Sequence, residues 1–286
     1  MARIAVTGAT GVVGGAVARL LSDRGLATRL VVRQPARAPS LPHSEVRRAS
    51  SYGAADEMRA ALEGCDTLCL IPAEESADRV TQHKTAVDAA LAAGVRRVVY
   101  LSIVAPAPDS TFTLARDHWA TEQHIRASGV AHAFARMNLY LDFLPRMAGP
   151  DGAIRGPAGD GRLAAVSRAD VAAVTAHVVA GDDGDGRAYD ITGPEALTLA
   201  EIAATLAAGS GKRIEYVDET LAEARSSRAS YGAPDWQVDA WISTYTAIAA
   251  GELAAVSDTV ERVTGRPAQS LAEFCRAHPG ALAHVH

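Results

Sequence analysis

The sequence predicts an α/β fold: a doubly wound parallel sheet followed by a smaller, mixed C-terminal lobe that holds substrate. Three observations carry this. In the opening stretch the apolar run Ile4 to Val6 passes through Thr7-Gly8-Ala9-Thr10-Gly11 into periodic apolar residues from Val12 to Leu21. That is the pattern of a buried strand, a tight turn and a helix. Next, apolar strands at 28–32, 45–49, 67–71, 97–101 and 131–135 alternate with helical stretches at 54–62, 77–93 and 113–125, which builds a parallel sheet covered on both faces. Finally, from Gly193 onward helical patterns dominate, opened by the capping boxes Thr198-Leu199-Ala200-Glu201 and Ser270-Leu271-Ala272-Glu273. We place the sheet domain at 1–136 and 163–192, and the smaller lobe at 137–162 and 193–286.

The turn is the first candidate site. Gly8 permits the tight turn, Gly11 lets the backbone approach a pyrophosphate, and Gly14 lets helix and strand pack closely. Thr10 and Val12 flank Gly11 at the helix start, where N–H groups and the helix dipole favour an anion. The GxxGxxG spacing, in this strand-turn-helix context, resembles the short-chain dehydrogenase/reductase superfamily of Rossmann-type proteins. Arg33 stands nineteen residues beyond Gly14, where NAD-selective proteins place an acid on the ribose 2′-hydroxyl. A guanidinium there suits a 2′-phosphate, so NADPH is expected over NADH. Arg37 is either a helper or a solvated surface residue. Serines 50 and 51 stand where related proteins carry an acid near the adenine, and Pro72-Ala73 should border the adenosine ribose. His83 reads as a satisfied helical histidine. Gly11, Arg33, Ala73 and Ser102 should converge beyond the carboxyl ends of the strands.

Residues 104–113, with Pro106, Pro108, Asp109 and Ser110, read as an active-site loop, and Val104 is a candidate substrate contact. The helix that follows reads Thr113-Leu114-Ala115-Arg116-Asp117-His118-Trp119-Ala120-Thr121-Glu122. Short-chain reductases carry on this helix a tyrosine that donates a proton and, one turn later, a lysine that binds the nicotinamide ribose. The resemblance puts Leu114 at the tyrosine position and His118 at the lysine position. His118 either holds the ribose or relays a proton, or it is bonded to Glu122 on the next turn. Ser102 and His118 are the candidate catalytic groups. An unactivated ketone would miss the proton donor, whose help is worth roughly 10²–10⁴-fold; a quinone or delocalised cation needs less.

The chain is similar to the NmrA-like atypical short-chain reductases, near the type-2 quinone oxidoreductases and triphenylmethane reductases. The matching pieces are Thr7 to Gly11 with Gly14, Leu30-Val31-Val32-Arg33-Gln34-Pro35, Gln82-His83, Ala92-Ala93-Gly94-Val95, and Leu114 to His118 with Thr121-Glu122. Ser167 to Ala172 and Thr264-Gly265-Arg266-Pro267 extend the match along nearly the whole chain. The resemblance implies NADPH binding and hydride transfer, in a family whose substrates vary and some of whose members are non-catalytic cofactor sensors. It also implies that Arg136 to Tyr140 border the nicotinamide, with Tyr140 entering the substrate pocket as the tyrosine so placed. Trp241 and Tyr245, four apart on one helix, are either an aromatic wall or core packing. Ser167 and Asp170 fit a helix start without catalysis.

Composition bounds the partners. The 286 residues, 48% hydrophobic and 21% charged, suffice for a full core. A formal charge of −5 with both signs mixed offers neither a basic stripe for nucleic acid nor a polybasic membrane patch. The first residues lack a signal pattern, and apolar runs are broken before membrane-spanning length. A cytoplasmic protein with a small-molecule substrate is therefore expected, with a homodimer left open. Cys65, Cys69 and Cys275 form no CxxC pair and read as inert thiols. There is no GxSxG elbow, metal-spaced His/Cys cluster or lysine-bearing phosphate loop, and His284-Val285-His286 reads as a frayed terminus. The sequence thus points to NADPH-dependent reduction of an electrophilic, conjugated or aromatic small molecule. The alternatives are a ketoreductase on a polyketide-like ketone whose own phenol supplies the proton, and an NADP(H)-sensing regulator.

Overall fold

The structure is a computed structural model that describes residues 3–181 and 185–285. The turn expected over 182–186 falls at 182–184 outside the described residues, as does His286. In chain order β1 (Ile4–Thr7), α1 (Val12–Asp23), β2 (Thr28–Val32), β3 (Ser44–Arg48), α2 (Ala55–Leu62), β4 (Thr67–Leu70), α3 (Arg79–Ala92), β5 (Arg97–Ile103), α4 (Thr113–Ala127) and β6 (Ala131–Met137) come first. There follow α5 (Leu144–Met147), β7 (Ala153–Gly156), β8 (Arg162–Leu163), α6 (Arg168–Ala180), β9 (Ala188–Ile191), β10 (Leu197–Thr198) and α7 (Leu199–Ser210). The chain ends with β11 (Glu215–Asp218), α8 (Leu221–Arg228), α9 (Asp235–Ala249), α10 (Thr259–Thr264) and α11 (Leu271–Ala277).

Among the described residues, one seven-stranded sheet runs in the order β3-β2-β1-β4-β5-β6-β9. Ile4 pairs in parallel with Thr28 on one side and Thr67 on the other. The strand order reverses between β1 and β4, and a crevice opens beyond the carboxyl ends of strands at such a point. β1, β2 and β5 are buried along their whole length, which explains their mostly apolar character; the guanidinium groups of Arg29 and Arg97, buried with them, are bonded to backbone carbonyls. Met58 and Leu62 of α2, Val87 of α3 and Ile125 of α4 pack with Leu68, Leu70, Val98, Tyr100 and Phe134 of the strands. Each such apolar side chain contributes roughly 1.5–3 kcal/mol by leaving water. Cys65, Cys69 and Cys275 are free and buried, and burial pushes the Cys69 thiol up to about 12.

The chain forms two compact units. Unit 1 comprises Met1–Ile103, Asp117–Met137 and Ala169–Asp190; unit 2 comprises Val104–Arg116, Asn138–Arg168 and Ile191–His286. Segments 104–116 and 163–168, assigned from the sequence to the sheet domain, thus cluster with unit 2. Within unit 2, Glu252 holds the first of them: Ser110 Oγ donates to Oε2 at 2.5 Å and Thr111 N–H to Oε1 at 2.7 Å. β7 pairs with β11 in parallel, and β8 with β10 antiparallel. The Tyr245 ring packs against the bare backbone of Gly156 in β7; a Cβ there would stand 2.2 Å from Tyr245 Cδ1. Helices α7, α8 and α11 each open on a capping box, the one at Thr220 and Glu223 unanticipated. The terminus is not frayed as far as Val285, which is 2% exposed. Lys212 Nζ donates to the carbonyls of Leu282, at 2.9 Å, and Val285, so paired backbone replaces solvent there. Among the described residues, no helix is long and apolar enough to cross a membrane.

Candidate cofactor and active site

The glycine turn of unit 1 takes its shape from the backbone. Gly8 has φ +63°, open to glycine at no cost, and its carbonyl accepts from Gly11 N–H at 2.9 Å. A Cβ on Gly14 would stand 2.4 Å from Gly8 O and 2.7 Å from Gly8 C. α1 starts at Gly11 with no side-chain cap and no acid in its first turn. A cradle that any side chain would fill, at an uncapped helix start, fits a phosphate group.

Beside the turn lies a cavity of about 540 Å³, within the roughly 300–1,000 Å³ of small-molecule sites. Gly8, Thr10, Gly11, Arg33, Pro72 and Ala73, all singled out in the sequence, line it together with Arg37. Val12, Gly14, Ser102 and His118 do not: Gly14 packs under the turn, and Val12 is exposed. Ser50 and Ser51 line it where an acid was looked for, and so does Tyr52, which the sequence reasoning missed. Its signal was an aromatic directly after the serine pair.

The loop after β4 is held from all sides within unit 1. Ile71 N–H donates to Thr7 Oγ1 at 2.9 Å, and Tyr52 Oη donates to Ile71 O at 2.8 Å. Ala73 N–H donates to His83 Nε2 at 2.9 Å, while Arg79 Nε donates to Ala73 O at 3.0 Å. Both polar groups of the Ala73 residue are therefore fixed by side chains of α3.

Those side chains open a buried knot. Arg79 Nη2 donates to His118 Nε2 at 3.3 Å, so the His118 proton sits on Nδ1 and is donated to Tyr100 Oη at 2.9 Å. His83, accepting at Nε2, donates from Nδ1 to Thr121 Oγ1 at 3.0 Å, and Thr121 donates to Asp117 O at 2.8 Å. Both imidazoles are neutral. Burial first, then the Arg79 charge, pushes His83 down to about 3; burial, Arg79 and His83 hold His118 well below its ordinary range. Arg79 Nη1 lies 3.5 Å from Asp117 Oδ2, and burial raises the Asp117 carboxyl against the pull of Arg79.

The bond from His118 to Glu122, one of the two alternatives for this histidine, is not made, because Glu122 is committed elsewhere. It accepts from Arg136 Nε at 2.9 Å and Nη2 at 2.7 Å, lies 3.1 Å from Arg126 Nη2, and accepts from Ser102 Oγ at 2.7 Å. Ser102 is fully buried. The tyrosine beside His118 is Tyr100 of β5, missed because no local spacing on α4 announces a strand residue.

In unit 2, Val104 is buried and precedes Ala105, whose φ is +49°. Tyr140 is half-buried under the Arg168 guanidinium, 4.7 Å from the ring centroid, and burial raises its phenol while Arg168 opposes. Trp241 and Tyr245 part company. Tyr245 is core, whereas Trp241 is half-buried and meets the exposed Tyr231 edge-on at 5.9 Å.

Comparison with known proteins gives the family. The family described as NAD(P)H-binding matches residues 8–182. An NAD(P)H azoreductase of Xenophilus azovorans is 34% identical over 285 residues, 98% of this chain and 99% of its own. The NADPH-dependent quinone oxidoreductase of Escherichia coli, solved with NADPH, superposes with a TM-score of 0.87 at 33% identity, covering 96% of this chain and 99% of that one. The triphenylmethane reductase of a Citrobacter species gives 0.85 at 29% identity, covering 98% and 99%. With the glycine cradle and the cavity, these likenesses make the chain a member of the NAD(P)H-binding family, one of its NAD(P)H-dependent oxidoreductases, with an NmrA-like oxidoreductase of Aspergillus flavus 26% identical over 192 residues.

Proposed function

We propose that this protein reduces an electrophilic, conjugated or aromatic small molecule of the quinone, azo or triphenylmethane kind, with NADPH as donor and without a protein acid in the hydride step. One observation carries the reading: His118, which with Leu114 stands by resemblance where the lysine and tyrosine would be, has its ring N–H already given to Tyr100. A neutral imidazole deep in the fold has no proton to spare near pH 7. Acceptors that disperse the incoming charge tolerate this, and water supplies their proton afterwards. The relatives' named substrates, azo compounds, quinones and triphenylmethane dyes, support this class.

Nicotinamide, when bound, would supply the hydride. The Gly8-to-Gly11 turn and the start of α1 would hold the pyrophosphate. Arg33, with Arg37 beside it in the cavity lining, would hold the 2′-phosphate, and Pro72-Ala73 would border the ribose. Val104, Tyr140 and Trp241 are assigned to the substrate side. The chain's share of the catalysis is binding, orientation and water exclusion. The test is oxidation of NADPH and NADH by the purified protein against quinones, azo and triphenylmethane dyes, and polycyclic ketones. Turnover of quinones or dyes with NADPH preferred is expected; turnover of ketones alone overturns the reading.

A further inference from the structure

The wall of the cavity formed by loop 71–76 is fixed through the double hold of His83 and Arg79 on Ala73. Glu74 leaves that clamp directly. Its Oε1 lies 2.9 Å from Arg33 Nη2, a contact between residues 41 apart in sequence. Both side chains are open to water, at 66% and 82% exposure, and both line the cavity. An exposed pair of this kind contributes little to folding, so its place in a nucleotide cavity calls for another account.

Resting on the reading of Arg33 as the 2′-phosphate partner, we propose that Glu74 is a specificity-determining residue that narrows the preference for NADPH over NADH. Glu74 takes Nη2 of the Arg33 guanidinium, a nitrogen that both of its two-pronged edges share. A phosphate gripped there with paired hydrogen bonds competes with that carboxylate for the same group. The carboxylate then stays nearby, because its backbone is anchored through Ala73, and it repels the phosphate dianion. NADH brings a hydroxyl to the same place. A hydroxyl asks nothing of Arg33 and can donate to Glu74, so the same residue that handicaps one cofactor tolerates the other.

The test measures dissociation constants of NADPH and NADH by nicotinamide fluorescence for the wild type, Glu74→Gln, Glu75→Gln and Arg33→Ala, with no turnover required. Losing the ion pair and the repulsion together should tighten NADPH about three- to tenfold in Glu74→Gln, with NADH unimproved. In about 1 M salt, where the Debye length is roughly 3 Å, the gain should shrink. An NADPH constant within twofold of wild type, an equal gain for NADH, an equal gain from Glu75→Gln, or a gain that ignores salt each overturns the proposal. Arg33→Ala separates this from the underlying reading. If it leaves NADPH binding untouched, Arg33 is not the phosphate partner; if it weakens NADPH while Glu74→Gln changes nothing, only the role of Glu74 falls.

Discussion

Within unit 1 the nucleotide cavity and the histidine knot treat polar groups in opposite ways. Around the cavity, backbone N–H groups at an uncapped helix start stand without a side-chain cap, glycines replace side chains, and the charge of Arg33 is exposed. In the knot, His83, His118, Tyr100 and Thr121 are buried, uncharged and bonded to one another or to neighbours. The first arrangement is open to something from outside, whereas the second is closed on itself, with Arg79 Nη1 left without a hydrogen bond 3.5 Å from Asp117 Oδ2. Recognition is therefore assigned to the cavity and positioning to the knot. Ala73 joins them, since it lines the cavity and is held by the knot's edge.

The contrast is sharpest at Gly14. Alanine at this helical position gains roughly 1 kcal/mol in propensity, but its Cβ would meet Gly8 O at 2.4 Å. Backbone overpacking costs about 1–3 kcal/mol or more and should win. Gly14→Ala should lower stability by about 2 kcal/mol in urea unfolding and weaken NADPH binding with it. Unchanged stability together with unchanged binding would show that the turn is not built on this contact.

Acid should find the knot next. His83 is lowered from 6.5 to about 3, and His118 well below 6.5, so between those limits the unfolded chain binds more protons than the native one. Their stabilisation is complete well above pH 6.5 and is lost as pH falls through and below it, approaching about 1.4 kcal/mol per pH unit for each histidine where the unfolded imidazole is fully protonated. Urea unfolding at pH 6.5 and 5.5 measures the loss. His83→Gln keeps an acceptor for Ala73 and should flatten the slope by one histidine's share; an unaltered slope would move the titration elsewhere.

The smallest effect is expected for the residue that motif comparison makes most conspicuous. His118→Gln, which can still accept from Arg79, should leave quinone turnover within about threefold, against the roughly 10²–10⁴ lost with a true general acid. A loss of the latter size, with a pH–rate limb removed, would turn the knot into a proton relay.

The glycine turn, Arg33 and Pro72-Ala73 were legible because sequence spacing fixes where a strand ends and a helix begins. Sheet order was legible only as a class. What spacing cannot give is a partner on another element: Arg79 and His118 are 39 apart, and Tyr100 comes from β5. The sequence offered Glu122 to His118 because a helix turn is the only contact that counting yields. Ser102 stands where a strand should end at the ligand, yet its hydroxyl turns to Glu122, a choice made by Arg136 and Arg126 converging on that carboxylate. Val285 was misjudged for a similar reason: Lys212, which holds it, lies 73 residues earlier.

The bare start of α1 has a consequence for stability in mixed solutions. α7, α8 and α11 carry their own caps in Thr198, Thr220 and Ser270, whereas α1 begins at Gly11 with none. On the proposed reading, a ligand phosphate there would be the cap supplied from solution and would link the folded state by mass action to free cofactor. At a hundred times its dissociation constant the cofactor adds about 2.7 kcal/mol, and the melting temperature becomes a gauge of how much of it surrounds the protein.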